Sequence, residues 1–423
     1  HDNWYSYPAM ASYGNTVHVA WHGPGENVYY RRLVKSGDNW TWESIMDTGA
    51  QGYSWDNGLD ISVCNNPVSL KTEVHIISRY LQYAYCTDID ASTPVWTVED
   101  LDASLESEIQ SYKYPSITVD PVHCDVHIVF SAKMHDSYYT VWYKRKHEGA
   151  WVESYNALEN FPPWQDPGPG TWRTVADWIE IVADADGNLH FGWHGTGLTG
   201  AWGHDDSFYM RRTYPYVDGE NNSVGWEAPL TLHAESGDNT YSWCPSICID
   251  VTEERALAFP VFKMKTLGVG DYEDYSDMDS VVRYIRDGEM RDSARVNSDN
   301  VIMLTDVASW PGSSWYPNTA PTLFEDTMGA KWLDTFQTVQ MQDGSGKCYL
   351  VYQRKKMENS DPLPQDDTYS AAQGTQLNVG SSLGVLWNDC DPDGDDLQAE
   401  LVSDVLYGTL VLNKDGSFAY TAP

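Results

Sequence analysis

Basic residues are scarce in this 423-residue chain: 26 Lys and Arg stand against 62 Asp and Glu, a formal net charge of −36. Such a surface repels a phosphate backbone instead of neutralising it, which argues against nucleic acid as a partner. It suits cations, or a salty medium that screens self-repulsion, or simply a solvated secreted surface. Long apolar runs are missing too. No eighteen consecutive apolar residues occur, so no segment is built to insert in a membrane as a helix. Cysteine is sparse: seven residues, an odd number, with no CxxC pair, which excludes a disulfide scaffold and a zinc finger. Cys244 and Cys248, four apart on an expected strand, lie roughly 13 Å from each other and cannot bridge. Pairing among the other cysteines is left open. No helical period runs far. The chain opens at His1 with neither Met nor an apolar leader, and is read as a mature or trimmed form.

What the chain has is strand and turn material, with 13% aromatic residues and 32 Gly. The stretch from Trp178 to Arg212 sets the plan. Two apolar runs, Trp178 to Ala183 and Leu189 to Trp193, flank Asp184-Ala185-Asp186-Gly187-Asn188, whose Asp-Gly supplies a hairpin turn. A long polar loop then leads to a third strand, Phe208 to Arg212.

The plan recurs. Middle strands read Val17-His18-Val19, Val74-His75-Ile76, Val126-His127-Ile128 and Leu189-His190-Phe191, with weaker copies at Leu257-Ala258-Phe259 and Val339-Gln340-Met341. Third strands carry Tyr-x-Arg at Tyr30 and Arg32, Tyr143 and Arg145, Tyr209 and Arg211, Tyr284 and Arg286, and Tyr352 and Arg354; the second copy, Tyr85-Cys86-Thr87, departs. Aromatic pairs precede the first strands at Tyr5 and Tyr7, Tyr53 and Trp55, Tyr112 and Tyr114, Tyr241 and Trp243, and Trp315 and Tyr316. Trp42, Trp96, Trp151 and Trp226 mark a fourth strand. Six four-stranded units read as an all-β, six-bladed β-propeller over residues 1–356, with room for a seventh, degenerate blade in the long last interval.

In such a meander the loops between strands two and three share a face with the links between blades, and function is expected there. Four residues on from each middle-strand His stand His22, Arg79, Ser131 and His194. The blade links add Tyr53, Trp55, Tyr112, Tyr114, Trp172, Tyr241, Trp243, Trp315 and Tyr316, beside Lys113 and Arg173. Aromatic faces stack on sugar C–H patches while polar neighbours bind hydroxyls, so this set predicts a glycan site; the competing reading packs the aromatics between blades. His18, His75, His127 and His190 lie between apolar neighbours and are read as packing residues, and the Tyr-x-Arg arginines as turn-holding ones. His22 and His194 instead end their strands as Trp-His-Gly. Opposed on blades one and four, they offer a base for β-elimination, with Arg79 or Arg173 neutralising a uronate and a Tyr protonating the leaving oxygen.

Ser36-Gly37-Asp38-Asn39-Trp40-Thr41-Trp42 partly copies the Ser-x-Asp-x-Gly-x-Thr-Trp box, and the repeats resemble sialidase-like, BNR-repeat propellers over residues 1–356. The Arg-Ile-Pro segment of sialidases is absent, which sets this chain apart from that activity. In its Tyr-x-Arg strands and His-ended strands it also resembles propeller polysaccharide lyases, and that resemblance implies a lyase acting on uronate-containing polysaccharide.

After a polar, Pro-bearing linker at 357–365, residues 366–423 resemble the bacterial cadherin-like, immunoglobulin-like repeats of large surface proteins. The residues that carry this likeness are Asp366-Asp367, Gly384-Val385-Leu386, Asn388 to Asp395, and Gly408-Thr409-Leu410 through Tyr420. The resemblance implies a small β-sandwich, missing its final strands and so expected to be cut from a longer chain. Asp389, Asp391, Asp393 and Asp395 are spaced for a calcium ion, since close carboxylates repel unless a hard cation joins them. They spell an EF-hand loop, but strand and turn material flanks them where helices would stand. A second cluster, Asp271, Asp274, Asp277 and Asp279, with Glu273, is expected in a loop of blade five as a further calcium site. Together these features predict a secreted or surface-displayed glycan-binding propeller on an immunoglobulin-like stalk. A polysaccharide lyase, and a structural subunit that self-assembles through a longer chain, are the alternatives.

Overall fold

The computed structural model describes residues 8–250 outside 38, 53–57, 106–108, 136–137, 162–172, 175, 197–204, 217–224 and 234–239, together with strand backbones between 255 and 357, residue 362, and 364–389 and 397–423 in the tail. Backbone alone is described at 104, 135, 138, 173–174, 177, 196, 205–206 and 233 and for the strands from 240 to 357, Ile247 and Ile249 excepted. Among these residues the fold is all-β, with six antiparallel sheets following one another from Ala9 to Met357, each a meander paired in chain order. Five carry the four strands of a blade, and the sixth shows three. The first strands are Ala9–Tyr13, Leu59–Asn65, Ser111–Val119, Asp177–Ala183, Thr240–Asp250 and Gly312–Glu325. Each of the first five packs against the first strand of the next sheet, so the sheets converge edge-on, the arrangement of propeller blades. The expected Asp-Gly hairpin forms: Gly187 adopts φ 85°, and Asp184 Oδ1 accepts the N–H groups of Asp186 and Asn188 at 3.0 and 2.8 Å.

The core lies between blades, and the repeated residues build it. His18, His75, His127 and His190 each share a hydrogen bond of 2.6–2.8 Å through Nδ1 with a third-strand Tyr hydroxyl, on Tyr30, Tyr83, Tyr143 and Tyr209. The Trp expected in the fourth strand packs on that Tyr of the preceding blade. Trp96 lies 5.1 Å from Tyr30, Trp151 5.6 Å from Tyr83, and Trp226 5.3 Å from Tyr143. Histidine, tyrosine and tryptophan thus form one joint, made from two blades. Three of the Tyr-x-Arg arginines, read as turn-holding residues, hold acidic partners: Arg32 on Glu43 and Asp90, Arg145 on Asp125 and Glu153, and Arg211 on Glu227. The next residue along is one that the repeat pattern missed. Arg212 reaches back to the Tyr143 hydroxyl (3.0 Å) and Glu153 (2.7 Å), and Lys146 to Glu99 (2.5 Å) and the Tyr83 ring (4.9 Å).

Register corrects three of the repeat copies. His18 faces Arg32 across the sheet and Ala20 faces Tyr30. In blade two, His75 faces Tyr85 and Ile77 faces Tyr83, so the copy is Tyr83-Ala84-Tyr85, with Tyr in the Arg position. In blade five Arg255, not Ala258, faces Arg286. In blade six Asp334 faces Arg354, whereas Val339-Gln340-Met341 ends its strand six residues further on. Apolar runs in these blades mimic the motif at the wrong height.

The tail is a separate three-stranded sheet, ordered Gln376–Val379, Phe418–Thr421, Thr409–Leu412. Tyr369 packs edge-on to Phe418 at 4.7 Å.

Arg212 and Glu153 are each 2% exposed. Arg212→Ala strips a buried carboxylate of one of its two arginines and should cost about 3 kcal/mol. The neighbouring Arg211→Ala removes a pair nearer the surface and should cost less than about 1 kcal/mol. Urea unfolding of the two variants tests this, and equal midpoints would contradict the joint.

Candidate functional site

Four blades interrupt their first strand near the end that meets the candidate face. The register shifts between Lys113 and Ser116, Asp177 and Glu180, Trp243 and Ser246, and Trp315 and Pro317. A bulge re-aims side chains and often borders a site. Tyr114 and Trp178 sit inside two of these bulges at φ 52° and 44°, a left-handed backbone that costs a bulky residue of order 1–3 kcal/mol unless its surroundings hold it. They hold each other: the two rings stack at 4.5 Å and 20° across the junction of blades three and four. The Lys113 ammonium lies 5.0 Å from the Tyr114 ring and 4.6 Å from the Tyr139 ring. Lys113, Tyr114, Tyr139 and Trp178 are all half-buried, so the group forms a partly open aromatic surface with one cation.

His194 stands behind this surface. It pairs across the sheet with Asp177, next to Trp178, and is 5% exposed. Burial, and then the nearby Lys113 charge, pull its pKa down from 6.5 to about 3. His22 occupies the equivalent strand end in blade one, 7% exposed, and burial lowers its pKa to about 4. It packs on Gly52, where a Cβ would stand 2.5 Å from His22 Nε2 and 2.9 Å from Ser78. The equivalence of the two strand ends is as expected. Their placement on an open rim is not, because each ring is folded into a crevice between neighbouring blades. Ser131, at the same height in blade three, donates to the Ala176 carbonyl at 2.6 Å and is structural.

Arg79 also departs from expectation. In blade two the second and third strands are joined by a tight turn, with Leu81 N–H donating to Ser78 O at 2.8 Å, so Arg79 lies on a turn and packs on Gly58 instead of lining a long loop. Tyr112 is half-buried beside Lys113, edge-on to Phe130 at 6.3 Å. Arg173 is the start of a short strand that pairs in parallel with Tyr138, one residue from Tyr139, which puts its backbone near the Lys113 surface. Tyr241, Trp243, Trp315 and Tyr316 lie on the strands that carry the bulges of blades five and six, by their backbones. Tyr53, Trp55 and Trp172 fall outside the described residues. Trp178 and Tyr139 were not singled out by sequence. Trp178 escaped because Ala176 replaces the first aromatic of its pair; its place just ahead of an apolar run was the available signal.

Of the acidic residues, Asp271, Asp274 and Asp277 lie outside the described residues, as do Asp391, Asp393 and Asp395. Asp279 is within the strand Met278–Arg286, facing Phe262, and not in the loop before it. Asp389 accepts the Gln365 N–H at 2.7 Å. Partial desolvation and the Asp389 charge raise the Asp367 pKa, so the head of the tail module and the acidic turn bring carboxylates together.

Residues 359–423 match the family described as Bacterial Ig domain. No curated protein matches the chain in sequence. Among solved structures, AofleA from Arthrobotrys oligospora is 12% identical, covering 84% of this chain and 89% of its own, with a TM-score of 0.44. A polysaccharide lyase, an ulvan lyase bound to a ligand of GlcA and sulfated Rha, is 11% identical over 82% and 83%, TM-score 0.45. The Aleuria aurantia lectin, in complex with α-methyl-L-fucoside, is 10% identical over 82% and 94%, TM-score 0.38. The propeller assignment rests on the sheets themselves.

His18, with a pKa lowered mainly by burial to about 4, joins His22 and His194 as a histidine buried neutral. The unfolded chain, titrating near 6.5, binds protons that the native state refuses, so the stability from these groups is full above pH 6.5 and is lost as pH falls towards 4. Each contributes a slope of up to about 1.4 kcal/mol per pH unit in that window. Urea midpoints at several pH values should fall accordingly, and His194→Gln should flatten the fall.

Proposed function

We propose that the propeller binds glycans at the junction of blades three and four, on the surface made by Tyr114, Trp178, Tyr139 and Lys113. One observation supports this above the rest. Two aromatic rings are stacked on left-handed bulges beside an ammonium group, an arrangement in which the backbone is bent to present ring faces and a cation together. Ring faces suit the C–H side of a pyranose, and the ammonium selects a sugar carrying a carboxylate or sulfate. On a chain of net charge −36, a local cation is the means by which an acidic polymer can be held. The protein works outside the cell or on its surface, in this reading, with residues 1–356 as propeller, 357–365 as linker and 366–423 as the immunoglobulin-like module. Calcium in the tail is part of the proposal, through Asp389, Asp391, Asp393 and Asp395, and it would neutralise that turn and order it.

A lyase on the same surface has one observation in its favour, the neutral His194 close to Lys113, a base and a cation as β-elimination needs. The burial of that imidazole weighs towards binding. Co-sedimentation with acidic and neutral polysaccharides, read together with unsaturated-uronate absorbance, separates the two. Binding predicts pelleting with acidic polymers and no new absorbance. Trp178→Ala should weaken it about tenfold, the equivalent of about 1.4 kcal/mol. Lys113→Ala should abolish the preference for acidic polymers. If no polymer pellets the protein, the reading fails; if absorbance grows and His194→Ala stops it, the lyase replaces it.

For the tail, chelation should lower the melting temperature, and Asp393→Ala should reproduce that loss. Calorimetry with and without calcium decides, and indifference to the ion rules the site out.

A further inference from the structure

We infer that Cys64 and Cys124 form a disulfide that staples blade two to blade three. Cys64 lies on the first strand of blade two, Leu59–Asn65, and Cys124 lies in the hairpin joining the first two strands of blade three. Their sulfurs are already 3.1 Å apart, although the residues are 60 apart in sequence. The thiols therefore meet across a blade junction, on elements that are independently fixed.

The repeat shows that position 64 has been altered. Blades three and four carry Asp120 and Asp184 at this height, and those carboxylates face Nε2 of the middle-strand His at 3.6 and 3.0 Å. In blade two the acidic partner of His75 is supplied instead by Glu73, 3.4 Å away and anchored by Asn66 at 2.9 Å. Position 64 is thereby released from the histidine and holds a thiol aimed at the next blade. Its partner is held rigidly. Asp120, fully buried, accepts the N–H groups of Val122, His123 and Asp125 at 2.9, 2.8 and 3.0 Å, and Cys124 donates its own N–H to the Asp120 carbonyl at 3.0 Å. Cys124 adopts φ 57°, a conformation that a non-glycine residue keeps only when its surroundings enforce it.

A metal ion is the competing occupant, since ligand atoms of Cys64, Glu73 and His75 lie within 4.8 Å of one another. Cys124, 3.1 Å from the Cys64 sulfur, falls outside that trio, so a structural zinc site would lack its fourth protein ligand. Disulfide formation needs an oxidant, here a dithiol–disulfide exchange partner such as a small-molecule disulfide. The half-exposed Cys124 loses its proton and attacks that disulfide, expelling one thiolate. Cys64 then loses its proton and attacks the Cys124 sulfur, expelling the second. One S–S bond is made within the chain, one is broken in the oxidant, and the two electrons leave as two reduced thiols.

The test uses the full chain, incubated with oxidised glutathione, alkylated and digested without reductant. Mass spectrometry should find one peptide pair joining position 64 to position 124, which reductant separates. The melting temperature should fall on reduction, and Cys124→Ser, a change at a half-exposed site, should melt at the reduced value in either condition. Recovery of both residues as alkylated thiols after oxidation overturns the inference, as does a crosslink from either of them to Cys86. Stoichiometric zinc, lost in Cys64→Ser and protecting the thiol from alkylation, would assign the site to a metal instead.

Discussion

The backbone N–H groups on the inner edge of each blade decide how the blades can meet. A first strand has no neighbour on that side within its own sheet, and where sheets converge its polar groups are shielded from water. The preceding blade supplies the acceptor: Asp60 takes the N–H of Ile117, Ser116 that of Ile181, and Glu180 that of Ile247, at 2.8, 3.1 and 3.3 Å. One step along, Ser62 takes Val119 and Thr118 takes Ala183, both at 3.1 Å. These bonds fix the height of each blade against the last. Ser116 and Glu180 are also the residues that close the bulges, so the contact that sets blade height also sets where Tyr114 and Trp178 stand. The strained aromatic pair is supported by the inter-blade register and not by its own strand.

That dependence explains what could be read from sequence and what could not. His18, His75, His127 and His190 were legible as packing residues because each repeats one environment, an imidazole between apolar neighbours with a Tyr two pleats away. The tryptophans were legible for the same reason. Blades two, five and six were misread in register, since Tyr85 replaces the Arg that marks height, while Arg255 and Asp334 stand where the histidine would be. A period-two pattern does not say which of several apolar pairs is the counterpart. Trp178 and the backward reach of Lys146 and Arg212 depend on the neighbouring blade, and no spacing within one repeat reports them. The two strand-end histidines show the limit from the other side: their height was right, but a strand end can point into a crevice as well as into solvent, and Gly52 decides for His22.

The candidate surface combines features with opposite demands. Aromatic rings on a half-buried edge favour apolar contact, while Lys113 sets its ammonium group within reach of two of them. The same charge helps keep His194 neutral. A ligand that carried negative charge to Lys113 would relax that second effect, so occupancy of the surface and protonation of the buried imidazole are thermodynamically linked.

The tyrosine–tryptophan joint has a direction. Each blade from the second to the fourth lends its Trp backwards, to the Tyr of the blade made just before it. A chain emerging from the ribosome therefore seals each blade of this run only when its successor arrives, and the first of these blades carries a tryptophan at the same position. Trp42 holds that position, facing Leu33 as Trp151 faces Lys146, and it is 45% exposed with the Arg31 guanidinium 5.0 Å over its ring. The latch is therefore one-sided at blade one: its Trp42 ring meets the Arg31 of its own blade, where Trp96, Trp151 and Trp226 each meet the Tyr of a neighbour.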